Sequence, residues 1–385
     1  MKAECLIKMN KIHIKGVIFL ISFLCVIFSS CSSVKNKNWS ESCIINEKYS
    51  DFCTETDNYL LENKFEGVVL VGKGKNIIFA KGYGVCDKND KNSSPININS
   101  TFEIGSVSKQ ITAAAIMQLV QKKKISLNDK LSKYFPEYKY GDDITIKMLL
   151  NMRSGLTDHI NDAEDFFPPE IYSIIRKKQI VNDAFEEDFV LNYFYDAPLL
   201  ATPDSTYFYC NTNYYLLAQI VQKVSGKKYH QYIKDNIFDK CGMFNTNTDF
   251  QNTDTKGYDF KNRYYSIPYD FAKGCGDINS CATDLFKWNV QFADGKIVNK
   301  KSLKQMLDTE SYGFGVYVKE NKIFHTGITN VFNSYDSYSF DTGISIIVLV
   351  NKPVAQCNAT FIANKIEKIS SERICNPRKL KLSAV

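Results

Sequence analysis

Three short groups of residues in this chain carry side chains that could handle an acyl group between them. The first is Ser106-Val107-Ser108-Lys109, an S-x-x-K pattern. On a helix, positions three apart share a face, so the ammonium of Lys109 can reach the hydroxyl of Ser106. A serine hydroxyl is a poor nucleophile until a base or cation lowers the cost of its alkoxide. The first turn of a helix adds positive potential at that spot. The pattern alone is weak, since Ser32–Lys35 and Ser225–Lys228 repeat it and a solvated helix pair explains most such matches. Ser106 differs in its setting, with Gly105 before it and an apolar run, Ile111 to Val120, after it.

The second group is Tyr209-Cys210-Asn211. Of 23 tyrosines, only Tyr209 begins a Y-x-N. A tyrosine beside an ammonium can lose its proton more readily than its ordinary pKa of about 10 implies, and can then serve as general base to a serine. Asn211 offers both a donor and an acceptor to a substrate amide. The plain alternative is a surface turn before a helix at Tyr214. The third group, His325-Thr326-Gly327, ends an expected strand. Gly327 there would let a substrate backbone approach the strand edge, and His325 and Thr326 could hold a substrate carboxylate or polar group. With an ordinary pKa near 6.5, His325 would be partly charged at neutral pH, so binding of carboxylate-bearing substrates should weaken as pH rises through that value. The plain alternative is a hairpin turn with an incidental histidine.

The elements that must position these groups follow from pattern. Gly67 to Val71 and Ile77 to Ala80 read as two strands of a hairpin around Gly72–Asn76. A polar loop, 87–98, leads to a helix beginning near Ser106 whose alanine-rich apolar body predicts burial. From about 115 to 300 the signals are mainly helical, with helical spacing at Leu149-Leu150, Tyr214 to Val224 and Asp284 to Phe292. The C-terminal part returns to strands at Phe314 to Val318, Ile323-Phe324, Phe332 to Phe340 and Ile344 to Val350, with Asp341-Thr342-Gly343 as a turn. Strands at both ends with helices between imply an α+β fold. Its antiparallel sheet would have about five strands from both chain ends, flanked by helices, with a mainly helical inserted region at about 120–300.

Residues 1–30 read as a signal peptide. Four lysines precede an apolar run from Val17 to Phe28, twelve residues with only Ser22 polar, which is short for a transmembrane helix of about 20. The lysines, against Glu4, account for three of the net +6 charges, and what remains predicts no nucleic-acid footprint. Segment 31–60 reads as tether and lead-in, 61–376 as one domain and 377–385 as a tail. Of 12 cysteines, nine lie beyond Cys5, Cys25 and Cys31, and none forms a C-x-x-C pair. In an oxidising compartment Cys43 with Cys53, or Cys357 with Cys375, could pair; buried free thiols are the alternative.

Taken together the three groups fall in an order suited to a helix start, an insertion and a C-terminal strand. The chain resembles the serine β-lactamase/penicillin-binding-protein superfamily, to which S-x-x-K belongs. It is most similar to the class C β-lactamase-like branch with its D-alanyl-D-alanine carboxypeptidase and esterase relatives, which has Y-x-N as second motif. The likeness extends from about residue 64 to 352 and includes Lys81 to Val85, Asp143 to Leu150, Ser154-Gly155-Leu156, Asn211 to Leu217 and Gly242-Met243. It implies a β-lactamase/transpeptidase-like fold and an acyl-enzyme on Ser106. Lys109 and Tyr209 would handle protons, while Asn211, His325, Thr326 and Gly327 would bind substrate. The backbone N–H groups of Ser106 and Ile328 would form the oxyanion hole, where loss of one donor typically costs about 3 kcal/mol. Phe28-Ser29-Ser30-Cys31 resembles a lipobox, which would make Cys31 the lipidation site of an exported protein at the periplasmic face of a membrane or the cell surface; cleavage after Ser32 is the alternative.

The chain departs from the family pattern at Met152, where His is common, at Cys210, where Ser is common, and at Ile328 to Phe332, where Gly and Pro are usual. His instead of Lys in the third group leans towards carboxypeptidases and esterases. The expected substrates are therefore D-alanyl peptides of cell-wall type or small esters, with a β-lactamase and a non-catalytic penicillin-binding sensor as alternatives. No metal or cofactor is expected, and no nucleic-acid partner. No G-x-S-x-G elbow or H-E-x-x-H motif occurs, which disfavours an α/β-hydrolase and a zincin.

Overall fold

The computed structural model describes residues 43–181, 185–186, 188–249, 252–264, 269–309, 311–353 and 358–375. The expected signal peptide, Cys31 and the tail 377–385 lie outside them. In chain order the strands are β1 (Cys43–Ile45), β2 (Gly67–Lys73), β3 (Asn76–Tyr83), β4 (Phe102–Glu103), β5 (Asn279–Ser280), β6 (Tyr317–Lys319), β7 (Lys322–Ile328), β8 (Asn333–Ser339) and β9 (Ile344–Val350). The helices that matter for the site and its support are α1 (Ser50–Glu62), α2 (Lys109–Gln121), α3 (Ile146–Leu150), α4 (Asn211–Ser225), α5 (Ala282–Ala293) and α6 (Ala359–Ser370).

The main sheet has seven strands in the order β1-β3-β2-β9-β8-β7-β6, and every pairing in it is antiparallel. The expected count of about five falls short. The expected strand at Phe314 to Val318 meets β6 only at Tyr317 and Val318, and β1 is unexpected, its three residues being too few for an alternating pattern to stand out. β1 and all but the last two residues of α1 come from the segment read as tether and lead-in. The joint between the chain ends is β2 against β9, where Val69 faces Val348 and Val71 faces Ile346.

Successive residues of a strand point to opposite faces, and the central strands are apolar on both. Val68, Leu70, Ile347 and Leu349 pack with the apolar sides of α2, α4 and α5. Val69, Val71, Ile346 and Val348 pack instead with Phe52 and Leu60 of α1 and Ile362 and Ile366 of α6. The helices thus cover both faces of a sheet built from both ends, as the α+β reading requires. The eight described cysteines are free thiols, including Cys43, Cys53 and Cys375, so the pairing of Cys43 with Cys53 does not form; Cys357 lies outside the described residues. Among the described residues no helix is long and apolar enough to cross a membrane.

Candidate active site

Ser106 is delivered by a small two-stranded sheet. Phe102 and Glu103 of β4 pair with Ser280 and Asn279 of β5, and Ile104 N–H donates to Ile278 O at 3.0 Å. Gly105 then takes a positive φ of 49° and turns the chain into a 3₁₀ turn, Gly105–Ser108, which runs into α2. In a 3₁₀ turn residues three apart eclipse one another. Lys109 therefore stands over Ser106, with Nζ 2.8 Å from Oγ.

Lys109 is fully buried and all three of its ammonium hydrogens are used. Besides Ser106 they go to Asn211 Oδ1 at 2.7 Å and to the Cys275 carbonyl at 2.7 Å. Burial pushes its pKa down to about 8, opposed in part by the field of nearby acidic groups such as Asp158. Tyr209 donates its hydroxyl to Ser106 Oγ at 2.8 Å, and Lys109 Nζ lies 5.0 Å from its ring centroid. The expectation that this tyrosine ionises easily is corrected: burial holds its phenol well above the ordinary value, despite the nearby ammonium. Of the two groups on Ser106 Oγ, the lysine is the one whose deprotonated, basic form is within reach near neutral pH.

Tyr209 and Asn211 are held by residues with no assigned part in the sequence motifs. Oδ2 of the buried Asp158 accepts both the backbone N–H and the side-chain amide of Asn211, at 2.9 and 2.8 Å. That leaves Asn211 Oδ1 turned to Lys109. Met152 has a positive φ of 60° and is buried. Its carbonyl accepts from Phe208 N–H at 2.9 Å, and its Sδ accepts from Cys210 N–H and Asn213 Nδ2, each at 3.4 Å. A thioether thus fastens the turn that carries Tyr209, at the position where the sequence departs from the family's histidine. The Cys210 thiol points away from Ser106, donating to Thr157 O at 3.6 Å.

On the opposite wall lies β7. Gly327, expected from its place at the strand end to admit a substrate backbone, is also needed for close packing within the protein. A Cβ there would run into the Ile104 carbonyl oxygen and Ser334 Oγ. Its absence lets β7 close against the segment that precedes Ser106. A Cβ added to Gly105 would lie 3.1 Å from Ile328 N, so the Ile328 amide borders the turn that carries the nucleophile. β6 pairs with β7 only as far as Phe324, which leaves the edge beyond it unpaired by β6.

His325 also differs from its sequence expectation. It is buried, with Nδ1 2.6 Å from Thr326 O and Nε2 3.1 Å from the Tyr312 hydroxyl. Burial, with the nearby Lys109 charge, pushes its pKa down to about 3, so the partial charge expected at neutral pH is absent. A cavity of about 360 Å³ opens over Ser106, and its lining includes Tyr209, Asn211, His325, Thr326, Ile328 and Tyr317.

A serine under a buried lysine and a phenol, at the head of a helix beneath an antiparallel sheet, defines a serine hydrolase with the β-lactamase/transpeptidase fold. The model of the Beta-lactamase family matches residues 56–361, and the chain belongs to that family. It is 30% identical over 328 residues to the putative penicillin-binding protein PbpX of Bacillus subtilis (strain 168), covering 82% of this chain and 78% of the other. It is 26% identical over 309 residues to the teichoic acid D-alanine hydrolase of Staphylococcus aureus (strain MRSA252), covering 74% of this chain and 71% of the other. The crystal structure of D-amino acid amidase from Ochrobactrum anthropi SV3 superposes with a TM-score of 0.71 at 21% identity, covering 86% of this chain and all of that one.

Proposed function

We propose that this protein is an exported serine hydrolase that works through an acyl-enzyme on Ser106, acting on D-alanyl groups of cell-wall type or on small esters. The observation that carries the reading is that Ser106 Oγ lies 2.8 Å from both Lys109 Nζ and Tyr209 OH. The similarity to a teichoic acid D-alanine hydrolase supports the substrate class.

In the acylation step neutral Lys109 takes the Ser106 proton as Oγ bonds to the substrate carbonyl carbon. The backbone N–H groups of Ser106 and Ile328 hold the oxyanion of the tetrahedral intermediate. Its collapse breaks the bond to the leaving group, which departs with a proton supplied by Tyr209 or Lys109. Water then attacks the acyl-enzyme along the reverse route and restores the serine. Asn211 fixes Lys109 and, with Thr326, offers hydrogen bonds to the substrate.

Mass spectrometry of the intact protein after incubation with penicillin and with a small activated ester tests this. Wild type should gain the acyl mass and lose it on turnover, and Ser106→Ala should gain none. Equal labelling of Ser106→Ala would remove the assignment of the nucleophile, and a stable adduct without turnover would favour a sensor. Export and lipidation at Cys31 rest on the leader composition. Radiolabelled palmitate should enter wild type and not Cys31→Ala.

A further inference from the structure

The walls around Ser106 are uncharged. Among the described residues lining the cavity none is Lys, Arg, Asp or Glu; the ionisable ones are Tyr209, Tyr317, Cys275 and His325. The one cation at its floor, Lys109, has spent its three hydrogens on Ser106, Asn211 and Cys275 O. Its charge is countered through Asn211 by the Asp158 carboxylate.

His325 supplies no substitute. The Thr326 carbonyl can only accept, so Nδ1 carries the hydrogen of that 2.6 Å bond. Nε2 then accepts from Tyr312 OH in the neutral ring, and would donate to it in a charged one. In either state both nitrogens are turned to the protein and none to the cavity. The groups around the ring agree with the neutral state. Tyr209, Tyr312 and Tyr317 place their rings 6.4, 5.8 and 5.4 Å from it. Lys109 adds positive potential, which opposes protonation. Its cross-strand neighbour Asp336 is occupied by Gln110 at 2.8 Å and Asn289 at 2.6 Å.

We propose that the Ser106 site selects acyl donors whose leaving group carries no carboxylate, namely esters and neutral amides, over those ending in a free carboxylate. The inference rests on the acyl-enzyme reading above and narrows its substrate class. A carboxylate drawn into this cavity gives up water without gaining a charged partner, and charged groups buried unpaired are strongly disfavoured. Thr326 and the open β7 edge can still satisfy an uncharged ester or amide.

The test uses the whole protein and two peptides with the same scissile bond, N-acyl-D-alanyl-D-alanine and N-acyl-D-alanyl-D-alanine amide, compared by kcat/KM from pH 5.5 to 7.5. The amide-terminated peptide should be favoured by about 30-fold, the scale of one charge-assisted hydrogen bond forgone. The ratio should stay constant across the range. An equal or better carboxylate-terminated peptide overturns the inference, as does a gain for that peptide as pH falls through 6.5. Should neither peptide turn over, acylation rates with a phenyl ester and its ring-carboxylated counterpart give the same comparison. A fluorophosphonate that leaves Ser106 unlabelled would instead remove the acyl-enzyme reading itself.

Discussion

Asp158 accepts two hydrogen bonds from Asn211 through a single carboxylate oxygen, and so decides which end of the Asn211 amide meets Lys109. It is a positioning residue for the lysine. Asp158→Ala should lower kcat/KM by about 10²-fold, as expected when a reacting group is displaced by about an ångström. Because the Asp158 field raises the Lys109 pKa against burial, its loss should also move the pH midpoint of activity downwards. A loss of rate with an unmoved midpoint would leave Asp158 with a structural part alone.

Lys109 gives the pH dependence its sign. Burial brings its pKa to about 8, and the proposed base is the neutral amine. Activity should therefore rise about tenfold per pH unit below 8, as the neutral fraction does, and level off above it. Lys109→Met should abolish acylation while Ser106 remains in place. A flat profile of kcat/KM between pH 6 and 8 would count against the lysine as base.

Met152 offers a test that separates stability from chemistry. Met152→Leu keeps the volume but removes the acceptor used by Cys210 N–H and Asn213 Nδ2. A buried donor left unpaired costs about 1–3 kcal/mol, which urea denaturation should detect. The turn carrying Tyr209 should loosen, so kcat should fall more than KM changes. Restored rate with Met152→Gln, whose side-chain oxygen can accept, would identify the hydrogen bonds as the cause.

Gly327→Ala probes the packing of β7 against Ile104. Overpacking of this kind costs about 1–3 kcal/mol. It should also shift the Ile328 amide away from Gly105, so that kcat drops by about 10²-fold, comparable with loss of an oxyanion donor. Gly74→Ala is the control. Gly74 has a φ of 57° in the β2–β3 turn with nothing within 4 Å of an added Cβ, so backbone strain is its only penalty. Its kcat should match wild type.

How far this could be read in advance depended on whether the cause was local. Ser106 and Lys109 are three residues apart, and the strands of β2, β3 and β9 have strong apolar patterns, so sequence alone reaches them. Tyr209 and Asn211 were legible as a motif, but their protonation states follow from burial by residues far along the chain. His325 shows this most clearly. Its type suggested a charge, whereas its state is set by Tyr312 and by the depth of β7 beneath the site. Asp158 left only a faint trace, a lone acid between Thr157 and His159. Met152 was visible as a departure from pattern, but its role as an acceptor required knowing what lies 3.4 Å from its sulfur.

The pairing of β2 with β9 sets a condition on when the enzyme comes into being. Ser106 and Ile328 lie more than two hundred positions apart, and β7 reaches the nucleophile only as part of a sheet that β9 ties to the N-terminal hairpin. Such distant closure is slow to form, because a long loop must be ordered before its contacts reward it. A nascent chain stopped before Ile344 would already contain every residue of the reactive cluster and yet lack the strand that ties β7 to the N-terminal hairpin, so an organised cleft requires synthesis at least through β9.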